Sequence, residues 1–123
     1  MAQQPAVGFR VKRVYDEPDP EDGYRVLVDR LWPRGVSKQR ARIDEWMKAV
    51  TPSEDLRRWF HADPDHRAAE FARKYGAELA DDEHQEALAR LRELGEAGPV
   101  TLVTAVRDPI HSHVTVLLEQ LRA

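Results

Sequence analysis

The chain has no cysteine in its 123 residues. That single absence removes disulfides, thiolate nucleophiles and zinc–thiolate sites together. No apolar run approaches the ~20 residues needed to cross a bilayer. The opening Met1-Ala2-Gln3-Gln4-Pro5-Ala6 lacks the basic start and apolar stretch of a secretory signal. The expectation is a cytoplasmic protein that does not engage a membrane. Several motifs are missing as well. The sequence contains no His-Glu-x-x-His, no Gly-x-x-x-x-Gly-Lys and no Gly-x-Ser-x-Gly, so it is not read as a zincin, a P-loop protein or an α/β-hydrolase. Its Gly95-x-x-Gly98 pair closes a helix rather than cradling a phosphate. No resident metal and no cofactor is expected. Basic excess is absent too: 19 Lys and Arg face 22 Asp and Glu for a net charge of −3, which argues against a general nucleic-acid binder.

What is present is one domain's worth of ordinary globular sequence, with 41% hydrophobic and 33% charged residues. Residues 1–6 read as a loose tail and 7–123 as a single α/β domain. Val7 to Tyr15 alternates as a strand. Glu17-Pro18-Asp19-Pro20-Glu21-Asp22-Gly23 is a dense turn signal. Tyr24 to Leu31 is the second strand, and its continuous apolar centre Val26-Leu27-Val28 asks for cover on both faces. Trp32 precedes Pro33 and is therefore extended. Pro33-Arg34-Gly35 turns the chain, and Ser37 is placed to cap a helix. Ile43, Trp46, Met47 and Val50 fit helical spacing, so a helix through Asp44–Ala49 is expected, with a short strand as the alternative. Ser53 then caps a helix carrying Leu56, Trp59 and Phe60, and Trp46 and Trp59 are expected in the core.

Asp63-Pro64 starts the next helix, striped by Ala68, Phe71, Ala72, Tyr75 and Leu79. Asp82 is expected to cap another, striped by Ala87, Leu88, Leu91 and Leu94. Val100 to Val106 is a strand, and Asp108-Pro109 opens a last helix lined by Val114, Leu117, Leu118 and Leu121. The order predicts a small, largely parallel sheet of 3–4 strands with helices packed around it, unless the first two strands pair as a hairpin.

Chemistry is expected where strands end, because open α/β sheets bind ligands outside the carboxyl ends of their strands. The second strand leaves through Asp29-Arg30-Leu31-Trp32-Pro33-Arg34, and the last leaves through Arg107-Asp108. Strand packing asks for none of these residues. Between Arg30 and Arg42 stand five cations (Arg30, Arg34, Lys38, Arg40, Arg42) and no acid. Such a local positive field on an acidic chain suits a small anion, and arginine grips phosphate or carboxylate with two parallel bonds. Arg30, Arg34 and Arg107 are the candidate anion holders, with Trp32 as an aromatic wall, Asp108 beside them and Tyr75 as a further hydrogen-bond donor. Asp29 or Asp108 is the candidate base or orienter, and His61 or His113 the candidate acid or base.

Each of these residues has a plainer reading. Asp29 with Arg107 could be an ion pair stitching two strands, Trp32 a core plug, and Arg40 and Arg42 a solvated helix face. His66 and His84 read as solvent-facing. Ser112 beside His113 could be a nucleophile or a helix-start residue, and His61, Asp63 and His113 could meet at a metal only if the fold gathered them.

Lys12-Arg13-Val14-Tyr15-Asp16, the run Asp22-Gly23-Tyr24-Arg25-Val26-Leu27-Val28-Asp29-Arg30-Leu31-Trp32-Pro33-Arg34-Gly35, and Asp44-x-Trp46, Pro52-Ser53, Leu56-Arg57 and Phe60-His61 resemble the YeaO-like branch of the domain-of-unknown-function family 488. The resemblance runs from Arg10 onward and implies a small bacterial-type α/β protein with no established activity. In the wider family a strand ends in an Asp, Arg and Pro pattern, and a late strand is followed by a Cys-His pair. By that resemblance Asp29, Arg30, Pro33 and Arg34 answer to the first element and His113 to the second. Thr104 and Ser112 stand at the cysteine positions, so thiol chemistry does not carry over. Three functions stand as expectations: an enzyme acting on a phosphorylated or nucleotide-like anion, a sensor that binds such an anion without turning it over, or a partner-binding protein whose charges form a structural ion-pair network.

Overall fold

The computed structural model describes residues 9–109 and 112–122. Four strands, β1 (Phe9–Arg13), β2 (Tyr24–Leu27), β3 (Glu45–Trp46) and β4 (Val100–Thr104), form one sheet in the order β1-β4-β2-β3. Every pairing is parallel: Phe9 to Arg13 runs beside Val100 to Thr104, and Tyr24 to Leu27 beside Val100 to Val103. The last strand in sequence therefore lies between the first two, and the hairpin alternative does not occur. A parallel neighbour needs a long crossover, which the helices supply. They are α1 (Lys38–Ala41), α2 (Glu54–Ala62), α3 (Pro64–Leu79), α4 (Asp82–Ala97) and α5 (His113–Arg122). No helix among the described residues is long and apolar enough to cross a membrane.

Burial on both faces explains the composition of β2 and β4. Val26, Val28, Val100 and Leu102 join the larger core with Phe60, Phe71, Tyr75, Leu88, Leu91 and Leu117, brought by α2 to α5. Leu27 and Val103, pointing the other way, pack with Val14, Ala41, Ile43 and the half-buried Trp32. One face thus carries four helices, while α1 and the loop before it close the other.

Several expectations shift by a residue or a class. The helix expected through Asp44–Ala49 is instead β3 followed by a single 3-10 turn, Lys48–Val50. The backbone there is claimed by β2: Asp44 N–H donates to Arg25 O at 2.9 Å and Met47 N–H to Leu27 O at 2.9 Å. Helical spacing over so short a run lost to sheet bonds. Trp46, expected in the core, is 36% exposed, whereas Trp59 packs partly buried against the larger core. The strand expected at Val7–Tyr15 is β1 alone, and Tyr15 is exposed; the tail at 1–6 and Val7 lie outside the described residues. The second strand stops at Leu27, although Val28 N–H still reaches Val103 O at 3.0 Å. Ser37 and Ser53 cap as expected. Asp81 rather than Asp82 caps α4, and Ala68 is exposed on α3. The last helix, expected to open at Asp108-Pro109, begins at His113 instead, and residues 110–111, including His111, lie outside the described residues. His66 and His84 each pair with the aspartate three residues before, Asp63 and Asp81.

A buried charge pair, unread in the sequence, locks the entry to β2. Asp22 is fully buried and accepts from Arg25 Nη1 at 2.5 Å, from Lys12 Nζ at 3.2 Å and from Asp19 N–H at 3.0 Å. Burial opposes its charge, but the bonds from Asp19 N–H, Lys12 and Arg25 outweigh that and hold its pKa below the ordinary carboxylate value. Gly23, next in the chain, sits at φ +66°, where an added Cβ would lie 2.2 Å from Pro99 O. Only glycine lets the turn close onto the start of β4. Asp22→Asn leaves the buried Arg25 guanidinium without its counter-charge, and the expected loss is about 3–5 kcal/mol, read from the urea midpoint at neutral pH.

Candidate functional site

Because all strands run the same way, their C-terminal ends open on one edge of the sheet, and the chain segments leaving them meet there. Asp29 is the meeting point. Its Oδ1 accepts from Thr104 Oγ1 at 2.7 Å and its Oδ2 from Ala105 N–H at 2.7 Å. Its own carbonyl accepts from Trp46 Nε1 at 2.7 Å. One residue earlier, Val28 O accepts from His113 Nε2 at 2.7 Å. The exits of β2, β3 and β4 and the start of α5 are thereby tied to two consecutive residues. The stitch between β2 and β4 is real, but its partners are Thr104 and Ala105. Arg107 is exposed.

His113 Nε2 also lies 3.6 Å from Asp29 Oδ1. Burial pushes the His113 pKa below the usual histidine value, and the nearby His61 adds to this. The Val28 carbonyl and the Asp29 charge pull the other way without reversing the shift. The imidazole is neutral, with its Nε2 proton held on the backbone.

Above this knot lies a cavity of about 330 Å3. Its lining combines Asp29, Arg30, Trp32, Arg34, His61 and His113 of the expected set, and adds Arg57 and the apolar Tyr15, Leu31, Phe60 and Phe71. Tyr75, Arg107 and Asp108 do not line it. Tyr75 is fully buried, donates its hydroxyl to Val50 O, stacks on Phe71 with centroids 5.6 Å apart, and meets the His113 ring edge-on. Burial drives its pKa strongly upward, so it serves as a support behind the wall. Ser112 lines the cavity, but its hydroxyl donates to Pro109 O at 2.7 Å and accepts from Val114 N–H at 3.1 Å, as a helix-start residue does. His61, Asp63 and His113 do not form a metal-ligating group among the described residues.

The arginines differ in how far they are committed. Arg57 donates to both oxygens of Glu54 at 3.2 and 3.3 Å. Arg30 lies 3.9 Å from Glu54 and 3.4 Å from Pro52 O, and Arg58 lies 3.8 Å from Glu54. Hydrogen bonding from Arg57, with the charges of Arg58 and Arg30, holds Glu54 below its ordinary value. One carboxylate thus faces three guanidiniums and leaves a positive excess. Arg34, on the turn made by Gly35 at φ +77°, is exposed and has no ion pair among the described residues. Trp32 is fixed by its indole N–H donating to Val36 O at 2.7 Å and by the edge of Trp46, 5.4 Å away.

Sequence reasoning missed Arg57, Tyr15 and Thr104. Arg57 stands four residues before His61 on α2 and so shares its face, a signal available in the sequence. Tyr15 leaves β1 at the same edge as Asp29 leaves β2. The role of Thr104 depends on which strand lies beside β2, and no local pattern carries that.

Neutral burial of His113 has a defined pH signature. Its folded pKa is depressed, so the unfolded chain takes up a proton that the folded one refuses once the pH falls below about 6.5. Its contribution to stability is full above that value and is lost as the pH drops through the folded pKa. The urea midpoint is expected to fall between pH 7.5 and 5.5, and His113→Gln, though less stable at neutral pH, is expected to show a flatter profile over that interval.

Comparison with known proteins places the chain in a family without assigning it an activity. No solved structure matches it. An uncharacterized protein of Mycobacterium tuberculosis is 49% identical over 112 residues, covering 91% of this chain and 92% of the relative, and a Mycobacterium bovis protein matches to the same extent. The uncharacterized protein YeaO of Escherichia coli is 41% identical over 117 residues, covering 95% of this chain and 99% of YeaO. The family model described as the inactive DUF488-N3 subclade matches residues 8–123. With the match spanning the whole sheet and every helix around it, the chain belongs to the inactive DUF488-N3 subclade, among the YeaO-like proteins of domain-of-unknown-function family 488.

Proposed function

We propose that this protein binds a small anion of the phosphate or nucleotide-like class in the cavity at the C-terminal edge of its sheet, and does not turn it over. The observation that carries the reading is the charge of the lining: Arg30, Arg34 and Arg57 against the single carboxylate of Asp29. Both oxygens of that carboxylate are already bonded to Thr104 and Ala105. A cavity with partly apolar walls strengthens the attraction between guanidinium and anion relative to open water.

Binding without turnover is favoured by the way the reactive groups are used. Asp29, Ser112 and His113 are each hydrogen-bonded to the main chain, which suits positioning better than proton transfer. The description of the subclade as inactive agrees with this reading.

A second reading is favoured by Glu54, which already engages Arg30, Arg57 and Arg58: the arginines would then be an internal network that holds α2 to the strand exits. Thermal denaturation separates the two. Phosphate and AMP are each titrated against wild type, Arg30→Ala and Arg34→Ala. An anion at ten times its Kd adds about 1.4 kcal/mol, so the wild-type Tm is expected to rise by a few degrees, with folded variants that do not respond and no product released from AMP. Unresponsive wild type together with an Arg30→Ala variant that unfolds would establish the network reading instead.

A further inference from the structure

The cavity lining has two unlike parts, and their difference defines the ligand more narrowly than charge alone. In one part, α2 presents Arg57 and His61 one turn apart, with Arg30 drawn toward the same helix by Glu54 and by Pro52 O. Tyr15 after β1 and Leu31 and Trp32 after β2 complete the lining, and Trp32 packs with the smaller core whereas Phe60 of α2 packs with the larger one. Tyr15 is 57% and Leu31 60% exposed, and these are two of the three large hydrophobic residues left exposed among the described residues. Exposed apolar side chains scattered singly need no explanation, but two on the rim of one cavity beside a fixed indole form a surface suited to an apolar body.

That surface is held rather than loose. The Trp32 ring is pinned by its bond to Val36 O and by the edge of Trp46. The Arg13 guanidinium lies 5.2 Å from the centre of the Tyr15 ring and steadies it. A cavity of about 330 Å3 is near the lower end of small-molecule sites, which run from about 300 to 1,000 Å3. It suits a compact ligand and not a dinucleotide.

We infer that the ligand is a compact aromatic anion: a planar ring seated against Tyr15, Leu31 and Trp32, carrying one phosphate or carboxylate group directed at Arg30, Arg57 and His61. This rests on the anion-site reading and narrows it. Inorganic phosphate and non-aromatic phosphate esters satisfy only the cationic part. A ring adds the apolar contact area that the exposed Leu31 and Tyr15 leave open to water, and flat rings meet aromatic walls in offset or edge-on arrangements.

Isothermal titration with phenyl phosphate, glycerol phosphate and benzyl alcohol tests the inference on wild type and Leu31→Ser. Leu31 is exposed, so the variant is expected to melt near the wild-type temperature. In wild type, phenyl phosphate is expected to bind about tenfold or more tighter than glycerol phosphate, the gain of burying one ring, with benzyl alcohol weaker than either. Leu31→Ser is expected to reduce the phenyl-to-glycerol preference about threefold while leaving glycerol phosphate unchanged. Equal binding of the two phosphates in wild type would overturn the aromatic ligand and leave the anion site standing. Benzyl alcohol binding as tightly as phenyl phosphate would overturn the anionic half. Absence of binding by both phosphates would overturn the anion site itself, and the inference with it.

Discussion

The Asp29 carboxylate is the constraint on which the organisation of this protein turns. A parallel sheet sends all its strand ends to one edge, where main-chain groups leave the ladder and need new partners. Asp29 takes the Ala105 N–H and the Thr104 hydroxyl just past the end of β4, while its carbonyl takes the Trp46 indole. The neighbouring Val28 carbonyl takes His113. Four chain segments, far apart in sequence, are fixed against one another by groups that would otherwise be unsatisfied. A buried donor or acceptor left without a partner costs about 1–3 kcal/mol, so this knot couples the stability of the sheet edge to the shape of the cavity above it.

The cavity inherits its character from that arrangement. Asp29 contributes a negative charge whose oxygens face the strand exits, so the excess positive charge belongs to the side chains above it. Arg30 and Arg34 come from the loop after β2, and Arg57 comes from α2. Glu54 restrains two of these arginines without neutralising the set. The two positions where the wider family, by resemblance, carries cysteine have been put to structural use: Thr104 donates to Asp29, and Ser112 bonds within the start of α5. Hydroxyls at both positions keep the framework polar and well bonded without a thiolate.

Much of the fold was legible in local pattern. The apolar runs of β2 and β4, the serine caps at Ser37 and Ser53 and the stripes of α3 to α5 are signals that neighbouring residues create by themselves. The segment around Trp46 was legible only as the alternative to a helix, because two residues of strand gain their bonds from β2 and not from their own neighbours. Nor was the Asp22–Arg25 pair, since charged side chains in a turn and an adjoining strand read as solvent-facing until the crossing of β4 buries them. At the candidate site, the unusual strand exit from Asp29 to Arg34 pointed to the edge on which the cavity opens. Tyr75 and Arg107 were drawn toward it by residue type, yet one stands behind the wall and the other outside the lining.

The amino-acid sequence by itself determined the family, the α/β class and the cation-rich segment after the second strand, because each is a property of residues close together in the chain. Only the tertiary structure decided that β4 inserts between β1 and β2, and with it the Thr104 and Ala105 partners of the Asp29 carboxylate. It also decided that Arg57 and His61 of α2 line one cavity together with Tyr15, Leu31 and Trp32. The physical reason is that strand order and helix placement are chosen by the burial of two sheet faces at once. That optimum is reached by the whole chain, and no local run of residues encodes it.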